Sequence, residues 1–395
     1  MDANPPGDTP LIFIIAGEPS GDALAARLMA ALKAETGGHV RFAGVGGPRM
    51  EAGGLQSLFP MGELALMGIF EVLRHVPLIL RRIRETVAAV DRLRPDVVLT
   101  VDAPGFTLRV AKKLKGHGIP LVHYVAPTVW AWKPGRARRI AQYLDRLLVV
   151  LPFEPPYFEV HGLACDFVGH PSVEDADVGD GKAFRQRHGI SEDAPLLCAL
   201  PGSRASEISR LMPVFGETIR LLMQRVPKLR VVVPAVGHVM EAVQAGAVHW
   251  PTEPVIVDET VEKHDAFAAS TVALVKSGTT SIDVAISGLP GVITQKLNAL
   301  SGWLILRAVQ VEHMSIINLL LKKRLQPEYI QNLCQPQLLA DALGELFEDP
   351  QKRQEIRDGG LEAARMLGLG SEPPSRRAAK SVLRVVREAD RSRAS

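Results

Sequence analysis

Apolar residues in this chain come in short runs that stop at glycine, proline or a carboxylate, and most runs lead into a stretch of helical spacing. LIFIIAG (11–17) opens the series, and GDALAARLMAALKAE follows it. A continuous apolar run of that length, bounded by turn residues, predicts a strand buried on both faces. DVVLTVDAP (96–104) before VAKKLKGHG, IPLVHYVAP (119–127) before a basic helical stretch, and RLLVVLPFE (146–154) repeat the pattern. After GHPS (169–172) the acidic, Gly-containing VEDADVGDGK reads as a linker. The pattern then restarts with APLLCALPGS, a helix near 206–225, LRVVVPAV (229–236), PVIVDE (254–259), TVALVKSG (271–278) and LPGVITQ (289–295). Strands that alternate with helices and lack hairpin turns predict an α/β fold with parallel, doubly wound sheets, here two in series. The expected division is 1–170, 171–345, and C-terminal helices over 346–395 that pack back on the N-terminal domain and end in a basic tail. Two such domains facing each other leave a cleft, and ligands gather at the carboxyl ends of the strands.

Composition narrows the class. The chain has 395 residues, 47% hydrophobic and 23% charged, an ordinary balance for a protein with a full core. Cys165, Cys198 and Cys334 are scattered, with no CxxC pair, which argues against a disulfide framework or a zinc site. MDANPPGDTP has no basic region followed by an apolar stretch and predicts no secretory signal. No segment reaches the ~20 apolar residues of a spanning helix. The stretch 297–311, with Trp303, is too short and carries Arg307. It and LALMGIFEVLRHVPLILRRIRE (64–85) are candidates for elements lying on a membrane surface, with a buried amphipathic helix as the alternative. Net charge is only +3, but basic residues cluster in KPGRARR (133–139) and from Ser375 onward. Such clusters attract phosphates or anionic lipid heads, or form a solvated helix face. Nucleic acid is disfavoured, because no known module accompanies them.

The chemistry concentrates at strand ends. In LPGSRASEI (200–208), Pro201 and Gly202 turn the chain, and Ser203 and Arg204 stand at a helix N-terminus. Free N–H groups, the helix dipole and a planar guanidinium make an anion site there, unless Arg204 simply pairs with Glu207. VKSGTTSIDVAISG (275–288) repeats the logic: Ser277, Gly278 and Thr279 let a backbone approach a phosphate, and Asp283 lies one helical turn on, within reach of ribose hydroxyls. Capping by Ser277 or Thr279 is the plainer explanation. Two anion loops with a carboxylate point to a nucleoside diphosphate. GxxxxGK[ST] is missing, and neither GVGGPRM (44–50) nor AGEPSGD (16–22) has GxGxxG spacing, so kinase and dehydrogenase readings are weak. The Asp-Ala-Asp of 175–177 sits in the linker rather than at a strand end and is read as a decoy; no metal spacing appears and no cofactor is called for.

In the N-terminal half Asp102 ends the run DVVLTVD, where a carboxylate at the sheet edge can take a proton from an attacking hydroxyl. Glu18 is its rival, and Ser20, Gly21 and Asp22 beside it form another helix N-terminus able to hold a phosphate. In HYVAPTVWAWKPGRARR (123–139), His123, Trp130 and Trp132 adjoin the basic cluster and suit a sugar face, a lipid interface or core packing.

AGEPSGD, GVGGPRM, MGIFEVL, VDAPGF, HYVAPTVWAWK, LPFE, FVGHP, LPGSRASEI and SGTTSID, in this order over about residues 11–340, resemble the lipid-A-disaccharide synthase family. The resemblance implies a GT-B fold of two Rossmann-like domains facing a central cleft. It implies an inverting, metal-independent glycosyltransferase at the cytoplasmic face of the bacterial inner membrane. Its substrates would be UDP-2,3-diacylglucosamine and 2,3-diacylglucosamine 1-phosphate (lipid X). UDP and the β-1,6-linked disaccharide 1-phosphate would be released. Asp102 then matches the proposed base and Arg204 the nucleotide-site arginine. Asn318 in SIINLL and Glu328 and Gln331 in PEYIQ match further nucleotide-site positions. Together with Ser203, Glu207, Ser277, Gly278, Thr279 and Asp283 these form the expected UDP set. Glu18, Ser20, Gly21, His123 and Trp132 form the expected acceptor set. The chain departs from the family in having Gly105-Phe106-Thr107 for Asp-Phe-Asn, Asp283 for Glu and Ile317 for Pro. The residues alone leave two other readings open, a UDP-sugar epimerase on the same scaffold and a non-catalytic lipid-binding protein.

Overall fold

The structure is a computed structural model that describes residues 9–64, 69–176, 178–298 and 311–394. Residues 65–68, Asp177 and 299–310 lie outside it, and with them most of the stretch 297–311. The chain divides into two compact units, 1–171 with 370–395, and 172–369.

The first unit is a six-stranded sheet. Its strands are β1 (Leu11–Ala16), β2 (Arg41–Val45), β3 (Val97–Val101), β4 (Leu121–Tyr124), β5 (Arg146–Val149) and β6 (Ala164–Phe167). All pairs are parallel, in the order β2-β1-β3-β4-β5-β6. β1 and β3 are buried at every position, as a sheet covered on both faces requires. The chain steps outward from β1 to β2 and then returns to β3 on the other side, so the winding reverses between β1 and β3.

The second unit carries β7 (Leu196–Leu200), β8 (Arg230–Ala235), β9 (Val255–Asp258), β10 (Val272–Lys276), β11 (Gly291–Gln295) and β12 (Glu328–Ile330). Its order, β12-β11-β10-β7-β8-β9, is again all parallel and is that of the dinucleotide-binding α/β fold. Its reversal lies between β7 and β10.

The last fifty residues are shared between the units. The helix Pro350–Met366 belongs to the second, and only the helix Pro374–Ala394 joins the first. Basic residues of this last helix are partly engaged in its docking. Arg384 and Ser381 reach Asp166, Arg376 reaches Glu35, and Arg377 lies over the Phe167 ring and donates to its carbonyl.

Asp22 ties the first two strand ends together. It lies in α1 (Pro19–Glu35) and is 3% exposed. Its carboxylate accepts from the N–H groups of Gly47, Arg49 and Met50 at 2.8–3.1 Å. The turn of GVGGPRM therefore already holds its anion in the Asp22 carboxylate. Asp22→Ala strands those donors and is expected to cost about 2–4 kcal/mol. A urea titration would show a lower midpoint at unchanged slope; a shift below about 0.5 kcal/mol would contradict the assignment.

Candidate active site

Parallel strands all finish on one edge of their sheet, and the gap at a winding reversal is left open there. In the second unit that gap lies between LPGSR after β7 and KSGTT at the end of β10. A cavity of about 370 Å³ fills it, lined by Gly202, Ser203, Arg204, Lys276, Gly278 and Thr279 among others. Gly202 has φ +118°, and a Cβ there would stand 2.4 Å from Glu207 Oε2, so only glycine fits the turn.

Glu207 braces this turn. It lies in α8 (Ala205–Leu222) and is 8% exposed. Its Oε2 accepts from Ser203 N–H at 3.1 Å; its Oε1 lies 2.9 Å from Lys276 Nζ and 3.6 Å from Arg204 Nη1. Burial opposes its charge, but Lys276, the Ser203 N–H and Arg204 outweigh that and hold the carboxyl below its ordinary range. His238 fixes the other side of the turn through a 2.8 Å contact between Nε2 and the Ser203 carbonyl. Arg204 is the N-cap of α8, and its side chain is 59% exposed. Across the cavity, Asp283 pairs with Lys263 at 3.1 Å, both mostly buried. Glu259 stands in the same wall. Burial raises its carboxyl above the ordinary range, with the Asp283 charge adding to the effect.

In the first unit, Glu18 and Asp102 stand at the reversal between β1 and β3. Asp102 and Ala103 both take positive φ, +46° and +42°, which costs a non-glycine residue about 1–2 kcal/mol. The Thr107 hydroxyl holds the turn, reaching the Asp102 carbonyl at 2.6 Å and that of Ala103 at 3.0 Å. Ser20 Oγ lies 3.4 Å from Asp102 Oδ2. Val125, after β4, has φ +76°, a rarer state still for a β-branched side chain. Strain of this kind clusters where function fixes the backbone.

The family model described as Lipid-A-disaccharide synthetase matches residues 12–380. The chain belongs to the lipid-A-disaccharide synthase family. Curated relatives of that name are 52% identical over 379 residues in Rhodospirillum centenum, covering 95% of this chain and 94% of the relative. In Paramagnetospirillum magneticum the figures are 46% over 388 residues, 97% and 99%. Solved structures agree in fold. The UDP-GlcNAc 2-epimerase of Neisseria meningitidis bound to UDP-GlcNAc has TM-score 0.60 at 12% identity, covering 96% of this chain and 99% of that one. Acinetobacter baumannii MurG has TM-score 0.57 at 14%, covering 94% and 99%. The fold is GT-B, and this member of the synthase family is a glycosyltransferase of lipid A biosynthesis.

Within this synthase scaffold several expected site residues sit elsewhere. Asn318 is fully buried: Oδ1 accepts from Leu325 and Gln326 N–H, and Nδ2 donates to the Gln326 carbonyl and Glu328. Its hydrogen-bonding capacity is filled inside its own loop. Glu328 also accepts from Met314 and Ser315 N–H, and Gln331 from Leu297 N–H. Asn318 and Glu328 shape the segment 314–328, Gln331 ties its end to the chain after β11, and none of the three is among the described residues lining the cavity of about 370 Å³. The Ser277 hydroxyl turns to the Met314 carbonyl. Gly21 packs beneath the Asp102 turn, where a Cβ would meet the Val101 carbonyl at 3.3 Å. His123 is fully buried against Thr100 Oγ1 at 2.8 Å, and burial lowers its pKa to about 3, so it is a neutral core group. Trp132, by contrast, is 41% exposed, with Lys133 Nζ 4.4 Å from its ring centre. Trp130 donates to Glu154 at 3.1 Å and packs edge-on against Phe153. Sequence reasoning missed Lys276, Lys263, Glu259 and His238. The signal available for Lys276 was a cation closing an otherwise apolar strand.

Glu154 carries a pH signature. It is 1% exposed, and burial pushes its carboxyl up to about 7 despite bonds from Leu151 N–H and Trp130. The folded chain thus holds a proton that the unfolded chain releases near pH 4.5, and this site's contribution to stability falls as pH rises from there through about 7. Between about pH 5 and about pH 8 the wild type should lose about 1–3 kcal/mol relative to Glu154→Gln. Parallel stability curves for the two proteins would contradict this.

Proposed function

We propose that the enzyme joins UDP-2,3-diacylglucosamine to lipid X by a single displacement, giving the β-1,6-linked disaccharide 1-phosphate and UDP. Support comes above all from one observation. In a chain of this family, two phosphate-sized turns, LPGSR and KSGTT, meet side by side at the winding reversal, with Arg204 on the cavity wall.

The second unit takes the nucleotide. Ser203, Gly278 and Thr279 present backbone to the diphosphate, and Asp283 accepts from ribose hydroxyls with Lys263 anchoring its other oxygen. Arg204 and the N-termini of α8 and of α11 (Thr279–Ile286) stabilise the charge that grows on the leaving UDP. The first unit takes the acceptor. Asp102 receives the proton of the 6-hydroxyl as that oxygen attacks the anomeric carbon; the bond to UDP breaks, and its electron pair leaves with the phosphate. Ser20 borders the base, and Glu18 is the N-cap of the same helix. The family's Asp-Phe-Asn is missing here, and Thr107 serves by fixing the base's backbone rather than by reaching the acceptor.

The acceptor is a lipid, and the first unit suits a membrane surface. Trp132, Lys133, Arg138 and Arg139 are exposed around α5 (Gly135–Ile140). Val76 and Leu80 are exposed on α3 (Ile69–Leu93) beside Arg81 and Arg84. No helix among the described residues is long and apolar enough to cross a bilayer. In this reading the enzyme sits peripherally at an anionic leaflet, the cytoplasmic face of the inner membrane, and these exposed basic and apolar residues support it.

Mass spectrometry of disaccharide and UDP, formed from the two substrates in detergent, tests the reading. Asp102→Asn should lose about 10²–10⁴-fold in turnover and Arg204→Ala about 10²-fold, with unchanged circular dichroism. Full activity in Asp102→Asn would move the base to Glu18. No product from folded wild type would sink the reaction.

A further inference from the structure

The charges on the nucleotide cavity do not favour a diphosphate as they stand. Arg204 and Lys276 face Glu207, Glu259 and Asp283. Lys263 answers Asp283 from behind, and burial opposes the charged form of Glu259, so the balance turns on Lys276.

Lys276 is the last residue of β10, and its side chain is 18% exposed. Its ammonium bridges the two turns, 2.9 Å from Glu207 Oε1 on one side. On the other it is 3.4 Å from where a Cβ on Gly278 would stand, and glycine leaves that approach clear. The same Glu207 oxygen holds Arg204 at 3.6 Å, so one carboxylate gathers both cations at the cavity mouth.

We propose that Lys276 is a second diphosphate-binding residue, aimed by Glu207, and that with Arg204 it carries the positive charge the leaving UDP requires. This rests on the reading of the cavity as the UDP site. An ammonium has three N–H donors; Glu207 takes one and two remain for phosphate oxygens. A lysine there supplies a compact charge that follows the phosphate as its own charge grows, while Arg204 supplies the planar fork. Glu207 never needs to touch the ligand, since it acts through the two cations and the Ser203 N–H.

Calorimetric binding of UDP and of uridine to the full-length wild type, Lys276→Met and Lys276→Arg separates this role from loop bracing. Uridine has the base and ribose but no phosphate. In Lys276→Met, UDP affinity should fall at least about tenfold while uridine affinity stays within about twofold. Lys276→Arg should restore most of the UDP affinity. The wild type's preference for UDP over uridine should shrink at high salt more than the variant's does. Parallel losses for UDP and uridine, or unchanged UDP affinity in Lys276→Met, would overturn the inference and leave the nucleotide site standing. A folded wild type that binds no UDP would overturn both.

Discussion

A parallel sheet that winds outward in both directions from one strand leaves a gap beside that strand, and each half of this chain sets its candidate site residues at such a gap. Everything else follows from filling it. In the second unit the turns after β7 and β10 are neighbours because their strands are paired, Val272 to Leu197 through Val275 to Leu200. Two turns that present N–H groups and cations at close quarters would repel each other without a counter-charge. Glu207 supplies it, at the cost of being nearly removed from water. It cross-links the turns and keeps their donors arranged, the preorganisation that the proposed transfer calls for.

The first unit answers the same geometry differently. Its strand ends are held by close packing and strained backbone. Gly21 lets α1 approach the Asp102 turn, and two residues there adopt positive φ. Thr107 clasps the turn from within. The stretch Gly105 to Thr107 thus has a structural reading: the hydroxyl at 107 holds the backbone of Asp102 and Ala103.

Strands and helices were legible because burial on both faces writes itself as continuous apolar runs. β7 and β10 end where LLCAL and TVALVK end, and β1 and β3 end one residue before the close of LIFIIAG and DVVLTVD. The turns after β7 and β10 were legible for the same reason. The long-range partners were not. Asp22 has a phosphate loop's sequence setting, yet it caps a turn 25 residues on. Asn318 looks like a ligand contact from its place in a family segment, but its amide is saturated by its own loop. His238 contacts a backbone carbonyl, and Lys276, at a strand end, pairs with a carboxylate on the helix Ala205–Leu222. Local pattern reports what a residue's neighbours in sequence are, and these roles are set by neighbours in space.

The proposed reaction is a single in-line displacement in which protein groups supply the positive charge. The configuration of the linkage formed by wild-type enzyme from UDP-2,3-diacylglucosamine and lipid X, with chelator present, tests it most directly. Proton–proton coupling at the new anomeric centre reports that configuration by NMR. A β-1,6 linkage at undiminished rate is the predicted result. An α linkage, or a reaction that stops when divalent ions are removed, would contradict it.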